Sequence, residues 1–244
     1  DFHYVYAPLK PRSRNVYSLG LTSPKLGKEV STIFDYAGIK VPQPLSLNSA
    51  EIYLYKQITT RYNDLTADLE LYRRVKDASE RSSLVKQSSY REKYLDDMVD
   101  NFLDLKMLSE TLETGDPLLY HMTGSVKSVE GYIRRLIEEV RHIFKEKMLK
   151  ASRTQVILAW SIDPYEIRGY RHILLGNILN RLRDYVGDVT AFRSQSSSEE
   201  TIPITPALAP GKANFVIFCS DKDFNTCSPE LRGKHLQLDQ VLLK

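Results

Sequence analysis

Apolar residues that recur alternately three and four positions apart constrain this chain more than any other feature. The clearest repeat comprises Val126, Val129, Ile133, Leu136, Val140 and Ile143. This spacing places the side chains along one face of an α-helix, where they can pack against another helix. A second repeat comprises Tyr55, Ile58, Tyr62, Leu65, Leu69 and Tyr72, and a third comprises Leu95, Met98, Phe102 and Leu105. Isolated helices are marginally stable in water, so these faces must be buried against one another or against a partner.

The ends of these helices carry residues that cap helices. Asn48 with Glu51, and Ser89 with Glu92, match the capping-box pattern of a helix start. The sequence Gly-Asp-Pro at 115–117 is expected to end the second helix, because glycine adopts the left-handed cap and proline obstructs further helix. Short breaks favour antiparallel neighbours. Residues 49–150 are therefore predicted to form an antiparallel three-helix bundle or coiled-coil-like hairpins.

Residues 1–48 are predicted to form an irregular N-terminal arm with one short helix. Aromatic residues alternate as in an edge strand at Phe2, Tyr4 and Tyr6. A helix is predicted where apolar residues recur every four positions, at Leu26, Val30 and Phe34, and Gly38 is placed to end it.

Residues 151–244 are predicted to form a small α/β region. The apolar segments TQVILAW and NFVIFC are typical of buried strands, and an amphipathic helix beginning near Pro164 lies between them. Segment 194–211 contains three prolines and no aromatic residue, which is typical of a flexible linker. The end of the chain, 234–244, fits a third strand or a helix. The predicted fold class is α+β, predominantly α.

Composition narrows the classes of protein to which the chain can belong. The formal net charge is only +3 over 244 residues, so nothing demands nucleic acid or an anionic membrane as a partner. No apolar run approaches the roughly 20 residues that cross a bilayer, so no membrane span is expected. Two cysteines do not form a disulfide framework, which favours a reducing, intracellular compartment, although one Cys219–Cys227 bridge is compatible with the sequence.

The strongest chemical motif is the Asp-Lys-Asp sequence that follows the apolar segment NFVIFC. Asp221 and Asp223 supply hard oxygen ligands of the kind that bind Mg²⁺ or Mn²⁺ in phosphoryl-transfer and glycosyl-transfer enzymes. The same residues are also what a solvated turn would contain. Because the sequence has no glycine-rich phosphate loop, the solvated turn is the favoured interpretation and no metal or other cofactor is predicted.

Other catalytic signals are weak. Cys219 and Cys227 lack the Cys-x-x-Cys spacing of redox sites, and the histidines lack metal-ligand spacing. Basic residues alternate along an extended segment at Lys10, Arg12 and Arg14, where they could follow a phosphate backbone. Acidic residues are interleaved with the basic residues elsewhere, so nucleic-acid binding is a lesser alternative.

These observations favour a non-catalytic scaffold or adaptor subunit of an intracellular multiprotein complex over an enzyme. Such a subunit would bind other protein subunits through its helical faces and its extended arm. The chain has 15 tyrosines, and tyrosine suits half-buried protein interfaces. The predicted partner contacts are Tyr55, Tyr62, Leu65, Leu69 and Tyr72. The alternatives are a metal-dependent transferase or hydrolase that uses the aspartate pair, and a nucleic-acid-binding accessory subunit.

Overall fold

The structure is a computed structural model that describes residues 2–9, 15–72, 74–75, 77, 80, 83, 94–162, 170–192 and 208–226. The chain divides into two compact units. The first comprises Asp1–Asp64 and Asn101–Val126, and the second comprises Leu65–Asp100 and Lys127–Lys244. Neither unit ends at residue 48 or 150, where the sequence suggested domain boundaries.

The first unit contains a small mixed sheet where an irregular arm was expected. Strands β1 (Val5–Tyr6), β2 (Leu19–Leu21) and β3 (Pro44–Ser46) lie in that order, with β1 antiparallel and β3 parallel to β2. Gly20 in β2 allows a close approach by the helix that follows β3. A Cβ atom on this glycine would lie 2.8 Å from the Cβ of Ala50, which is closer than packed side chains tolerate. The position of β1 at the sheet edge agrees with the alternation of aromatic residues.

Helix α1 (Gly27–Tyr36) follows a 3₁₀ turn at Pro24–Leu26. It ends in a Schellman motif, in which the N–H of Ile39 donates to the carbonyl of Phe34 and the N–H of Gly38 donates to the carbonyl of Asp35, both at 2.9 Å. Gly38 adopts a left-handed φ of 66°, as this cap requires. Both the short helix and its end at Gly38 were predicted from the sequence.

Two long helices correspond to the first and third apolar repeats. Helix α2 spans Leu47–Tyr72, and helix α5, the fifth in chain order, spans Pro117–Glu146. Most residues of the two predicted repeats are buried, namely Ile58, Tyr62, Leu65 and Leu69 in α2 and Val129, Ile133, Leu136, Val140 and Ile143 in α5. The chain is therefore predominantly α, as predicted.

The predicted three-helix bundle is not confirmed, although α2 and α5 contact each other. Ser125 Oγ donates to the carbonyl of Tyr62 at 3.3 Å, and Ser128 Oγ donates to the carboxylate of Glu70 at 2.9 Å. The first contact lies within the first unit and the second lies within the second unit. In a bundle whose consecutive helices are antiparallel, the first and third helices run parallel, so contacts between α2 and α5 do not test that arrangement. The predicted antiparallel bundle stays a prediction.

The second apolar repeat does not form one helix. It forms α3 (Leu95–Met98) and α4 (Phe102–Thr111), separated at Asn101, whose φ of 59° is left-handed. A left-handed residue ends a right-handed helix, and asparagine tolerates this conformation better than most residues. The predicted cap at Ser89 and Glu92 lies outside the described residues.

Pro117 begins a helix instead of blocking one, which corrects the interpretation of the Gly-Asp-Pro sequence. The carboxylate of Asp116 accepts a hydrogen bond of 2.8 Å from the N–H of Leu118, as an N-cap residue does. Proline is well suited to the first helical position, because the N–H that it lacks would have no partner within the helix. Helix α5 consequently starts nine residues before Val126, the first residue of the apolar repeat.

The second unit contains the predicted small α/β part. Strands β4 (Thr154–Ala159), β5 (Asp188–Phe192) and β6 (Ala213–Phe218) are parallel and lie in the order β5-β4-β6. Helix α6 (Tyr170–Arg183) connects β4 to β5, and α7 (Asp221–Thr226) follows β6. Every residue of β4 is buried, as expected for the central strand of a covered parallel sheet.

Two sequence predictions fall partly or wholly outside the described residues. They are the linker at 194–211, of which only 208–211 are described, and the strand or helix at 234–244. Within the described part of the chain, no helix combines the length and the apolar character needed to cross a membrane.

The end of α5 generates a stability prediction. Met148 has a left-handed φ of 52°, and its N–H donates to the carbonyl of Lys145 while the N–H of Leu149 donates to that of Phe144. This is the Schellman position that glycine normally occupies, and a side chain there is strained by about 1 kcal/mol. We expect Met148→Gly to raise the free energy of unfolding by about 1 kcal/mol, measured by urea denaturation.

Met107→Gly is the matched control, because Met107 lies within α4 and is half exposed. Glycine inside a helix lowers stability by about 1 kcal/mol, so the two substitutions should act in opposite directions. A loss of stability in Met148→Gly would contradict the assignment of this cap.

Candidate functional site

The candidate site is the edge of the parallel sheet at which β4 and β6 end. From β4 the chain proceeds through α6 to β5 on one side, whereas β6 pairs with the other side of β4. In open α/β sheets this arrangement leaves a crevice beyond the carboxyl ends of the two strands, where ligands commonly bind. The residues that reach this edge are Trp160 and Ser161 after β4, and Cys219 and Ser220 after β6.

Asp223 joins the ends of the two strands. Its side chain is completely buried and accepts hydrogen bonds from the N–H of Ser161 at 2.9 Å, from the hydroxyl of Ser161 and from the hydroxyl of Ser220. The hydroxyl of Ser220 in turn accepts the N–H of Asp223 at 3.1 Å and so caps α7. This carboxylate is therefore a structural bridge, and the solvated turn expected at this position is instead the first turn of a helix.

Asp221 has a different environment. It is exposed, and its carboxylate accepts a hydrogen bond from the amide of Asn225 at 2.9 Å. Residues two apart on a helix do not face each other, so the structure does not bring Asp221 and Asp223 together around an ion. Among the described residues, no three histidine, cysteine, aspartate or glutamate side chains are grouped so that they could hold a metal.

Helix α3 covers the sheet edge. The N–H of Asp96 donates to the carbonyl of Cys219 at 2.9 Å, just beyond β6. Tyr94, immediately before α3, is buried. It packs in an apolar cluster with Ile157 and Ala159 of β4 and with Val216 and Phe218 of β6. Tyr94 therefore packs against the face of the sheet that these strand residues form, next to the point at which α3 is bonded to the end of β6.

An ionic network fixes this cover. One carboxylate oxygen of Asp96 accepts hydrogen bonds from the indole N–H of Trp160 at 2.9 Å and from Nε of Arg171 at 2.8 Å. The guanidinium of Arg171 also donates to the carboxylate of Asp100. All three charged side chains are largely buried, with 9 to 21 % of the side chain exposed. Asp96 thereby links α3 to the end of β4 and to α6.

The charges of the described residues at this edge disfavour a reactive thiol. Asp96, Asp100 and Asp223 supply three acidic groups, and Arg171 pairs with the first two. Burial raises the pKa of the Cys219 thiol well above its ordinary value, and the charges of Asp223 and Asp96 raise it further. Cys219 is a free thiol, and because it stays protonated it is a poor nucleophile. Cys227 lies outside the described residues.

The partner contacts predicted on α2 divide into two groups. Tyr62, Leu65 and Leu69 are buried within this chain, with the ring of Tyr62 packed 5.8 Å from that of Phe102. Tyr55 is half-buried, and its hydroxyl donates to the Glu51 carboxylate, a bond that raises the pKa of Tyr55 to about 12. Tyr72 is the last residue of α2. A partner contact through the buried side chains would require them to leave the core, so the role assigned to this set stays a prediction.

The predicted phosphate contacts Lys10, Arg12 and Arg14 lie outside the described residues. Their role in nucleic-acid binding therefore also stays a prediction.

One apolar surface was missed in the sequence. Helix α1 has no buried side chain, and it exposes 68 % of Ile33 and 90 % of Tyr36. Val30 and Phe34, whose spacing predicted the helix, are only partly covered. The available signal was that apolar residues occupy more of the helix circumference than one core-facing stripe needs.

Comparison with known proteins gives no relative for this chain: no family model, no curated protein and no solved structure matches it.

The environment of Asp223 generates a prediction that separates a structural carboxylate from a metal ligand. We expect Asp223→Ala to lower the free energy of unfolding by roughly 3 kcal/mol, because it leaves buried hydrogen-bond donors of Ser161 and Ser220 unsatisfied. Asp221→Ala, two residues away and exposed, should lower it by less than about 1 kcal/mol. Urea denaturation with and without Mg²⁺ measures both effects.

A rise in stability of the parent protein on addition of Mg²⁺ that is lost in Asp223→Ala would contradict the structural role. Equal losses in the two variants would also contradict it.

Proposed function

We propose that this chain is a non-catalytic scaffold or adaptor subunit that binds another protein through α1 and belongs to an intracellular multiprotein complex. The observation that carries the proposal is the uncovered apolar surface of α1. A helix of ten residues has little stability of its own in water, and its apolar side chains normally gain stability from burial. The exposure of Ile33 and Tyr36 therefore favours a partner that covers them.

The geometry of α1 suits a binding mode in which this helix packs into a groove on a partner protein. Ile33 and Tyr36 are three positions apart, so they lie next to each other on the helix surface. The Schellman motif at Gly38 fixes the end of the helix beside Tyr36. An aromatic anchor next to an aliphatic one is typical of the residues that dominate protein interfaces. The partner surface would be an apolar groove that accepts one turn of helix.

The sheet edge of the second unit supports the non-catalytic part of the proposal. The N–H of Asp96 is bonded to the carbonyl of Cys219 at this edge, and the buried carboxylate of Asp223 has all its described contacts with the serines of the same edge. The described residues give the metal-dependent alternative no support, because Asp221 and Asp223 do not converge. The nucleic-acid alternative depends on Lys10, Arg12 and Arg14 and gains no support either.

The proposal is tested by removing the apolar anchors of α1. Burial of each anchor contributes on the order of 1.5–3 kcal/mol, and 1.4 kcal/mol corresponds to about tenfold in affinity. The double substitution Ile33→Ser with Tyr36→Ser should therefore weaken binding of the partner at least about tenfold. Quantitative affinity purification from native extract, with cross-linking to locate the contact, measures this loss. Because both residues are exposed, the variant should keep its stability to within about 0.5 kcal/mol.

Ile173→Ser is the matched control, because Ile173 is an isoleucine on α6 that is 60 % exposed. A true partner is retained by the parent and by this control, is lost from the α1 variant, and cross-links to α1. If all three chains recover the same proteins in equal amounts, α1 is not the binding surface.

A further inference from the structure

Among the described residues, β1 is the first strand of the sheet order and pairs with β2 on one side only. Within that part of the chain its outer edge is open for pairing with another strand. The N–H of Thr22 donates to the carbonyl of Tyr4 at 3.2 Å, and the N–H of Tyr4 donates to the hydroxyl of Thr22 at 2.7 Å. Since peptide groups alternate in direction along a strand, those of Tyr4 and Tyr6 face β2 and those of His3, Val5 and Ala7 face outward.

The edge carries only part of the usual protection against pairing. Folded proteins usually protect an edge strand by making it very short, or by a charged side chain, a proline or a bulge. β1 comprises only Val5–Tyr6, and Pro8 lies two residues beyond it. From Phe2 to Ala7 the sequence FHYVYA contains no lysine, arginine, aspartate, glutamate or proline. Val5 is 47 % exposed, and Tyr4 is 66 % exposed although its backbone is held against β2. Because this backbone is already ordered, pairing would require little further loss of conformational entropy.

The sequence of the edge is symmetric about Val5, with a tyrosine on either side. We infer that two copies of the chain pair antiparallel through β1, with Val5 of one copy opposite Val5 of the other. The outward-facing peptide groups of His3, Val5 and Ala7 then meet those of Ala7, Val5 and His3 of the second copy, so that N–H groups oppose carbonyl groups along the whole edge.

The side chains match under the same symmetry. Tyr4 of one copy lies opposite Tyr6 of the other, which gives two aromatic cross-strand pairs, each contributing roughly 0.2–1 kcal/mol. His3 of one copy lies opposite Ala7 of the other, and because alanine is uncharged no like charges meet. A self-matching edge of this kind is what a two-fold symmetric dimer requires, whereas a foreign strand would not need the symmetry. The two small sheets would join as one continuous sheet across the dimer axis.

The inference goes beyond the proposed function and uses different residues. Binding through α1 depends on Ile33 and Tyr36, and pairing through β1 depends on Val5 and its neighbours. The α1 variant should therefore keep the dimer, and an edge variant should keep the partner of α1. The failure of one proposal is distinguishable from the failure of the other.

The decisive test replaces Val5, the residue on the two-fold axis, with a positive residue in one variant and with a negative residue in another. The mass of the full chain is measured by light scattering and by sedimentation from about 1 to about 200 μM, because an interface this small is expected to be weak. The parent should approach twice the 28.1 kDa mass of one chain at the upper concentrations. Val5→Lys and Val5→Glu should each raise the dissociation constant at least about tenfold, since two like charges would then face each other across the edge.

An equimolar mixture of Val5→Lys and Val5→Glu should regain the dimer as a heterodimer, because the two charges then attract. Val5→Thr is the control, since threonine is uncharged, β-branched and suited to a strand, and it should keep the dissociation constant of the parent. A parent that stays at the mass of one chain at every concentration would overturn the inference. So would charge variants that dimerise as the parent does, or a mixture in which the dimer is not regained.

Discussion

The buried carboxylates at the end of the parallel sheet are the constraint on which the second unit depends. Asp223 takes hydrogen bonds from Ser161 after β4 and Ser220 after β6, so it fixes the ends of the two strands relative to each other. Asp96, on α3, accepts hydrogen bonds from Trp160 after β4 and from Arg171 on α6, so it fixes α3 relative to both elements. A buried charge is tolerated only when hydrogen bonds replace its lost water, and these bonds therefore dictate the local geometry.

The same buried carboxylates lie at the end of the sheet where a ligand would be expected to bind. A crevice at the reversal of strand order is the usual ligand site of an open α/β sheet, because two loops diverge there and leave space. Here Tyr94 packs against residues of β4 and β6 on the sheet face, and the N–H of Asp96 donates to the carbonyl of Cys219 at the end of β6. The described side chains at this edge thus have structural partners within the chain. On the surface of the molecule, the uncovered apolar residues of α1 are the most informative feature.

Much of the fold could be predicted from the sequence, because local periodicity reports local structure. The repeat on α2, the repeat on α5 and the buried strand β4 were each identified from spacing or apolar content. The break at Asn101 was not, since a left-handed asparagine leaves no mark in an apolar repeat that continues across it. The role of Pro117 was misjudged because proline is compatible with both the end of one helix and the first turn of the next.

The candidate site could be predicted only in part, for a different physical reason. Asp223 was singled out because it follows an apolar strand, but its burial depends on Ser161, 62 residues earlier in the chain. The pairing of Arg171 with Asp96 spans 75 residues. A single sequence carries no signal for such distant hydrogen bonds, so a structural carboxylate and a solvated one look alike. The exposed face of α1 was missed because apolar residues in a helix are assumed to be covered by the same chain.

The order of the strands in the parallel sheet has a consequence for synthesis on the ribosome. β4 is completely buried in the finished sheet, yet one of its two edges pairs with β6, which begins 54 residues after β4 ends. At translation rates of about 5–20 residues per second, that edge emerges roughly 3–11 s before its neighbour exists. During this interval an apolar strand has an open side. The nascent chain should therefore be most prone to capture by chaperones between the emergence of β4 and that of β6.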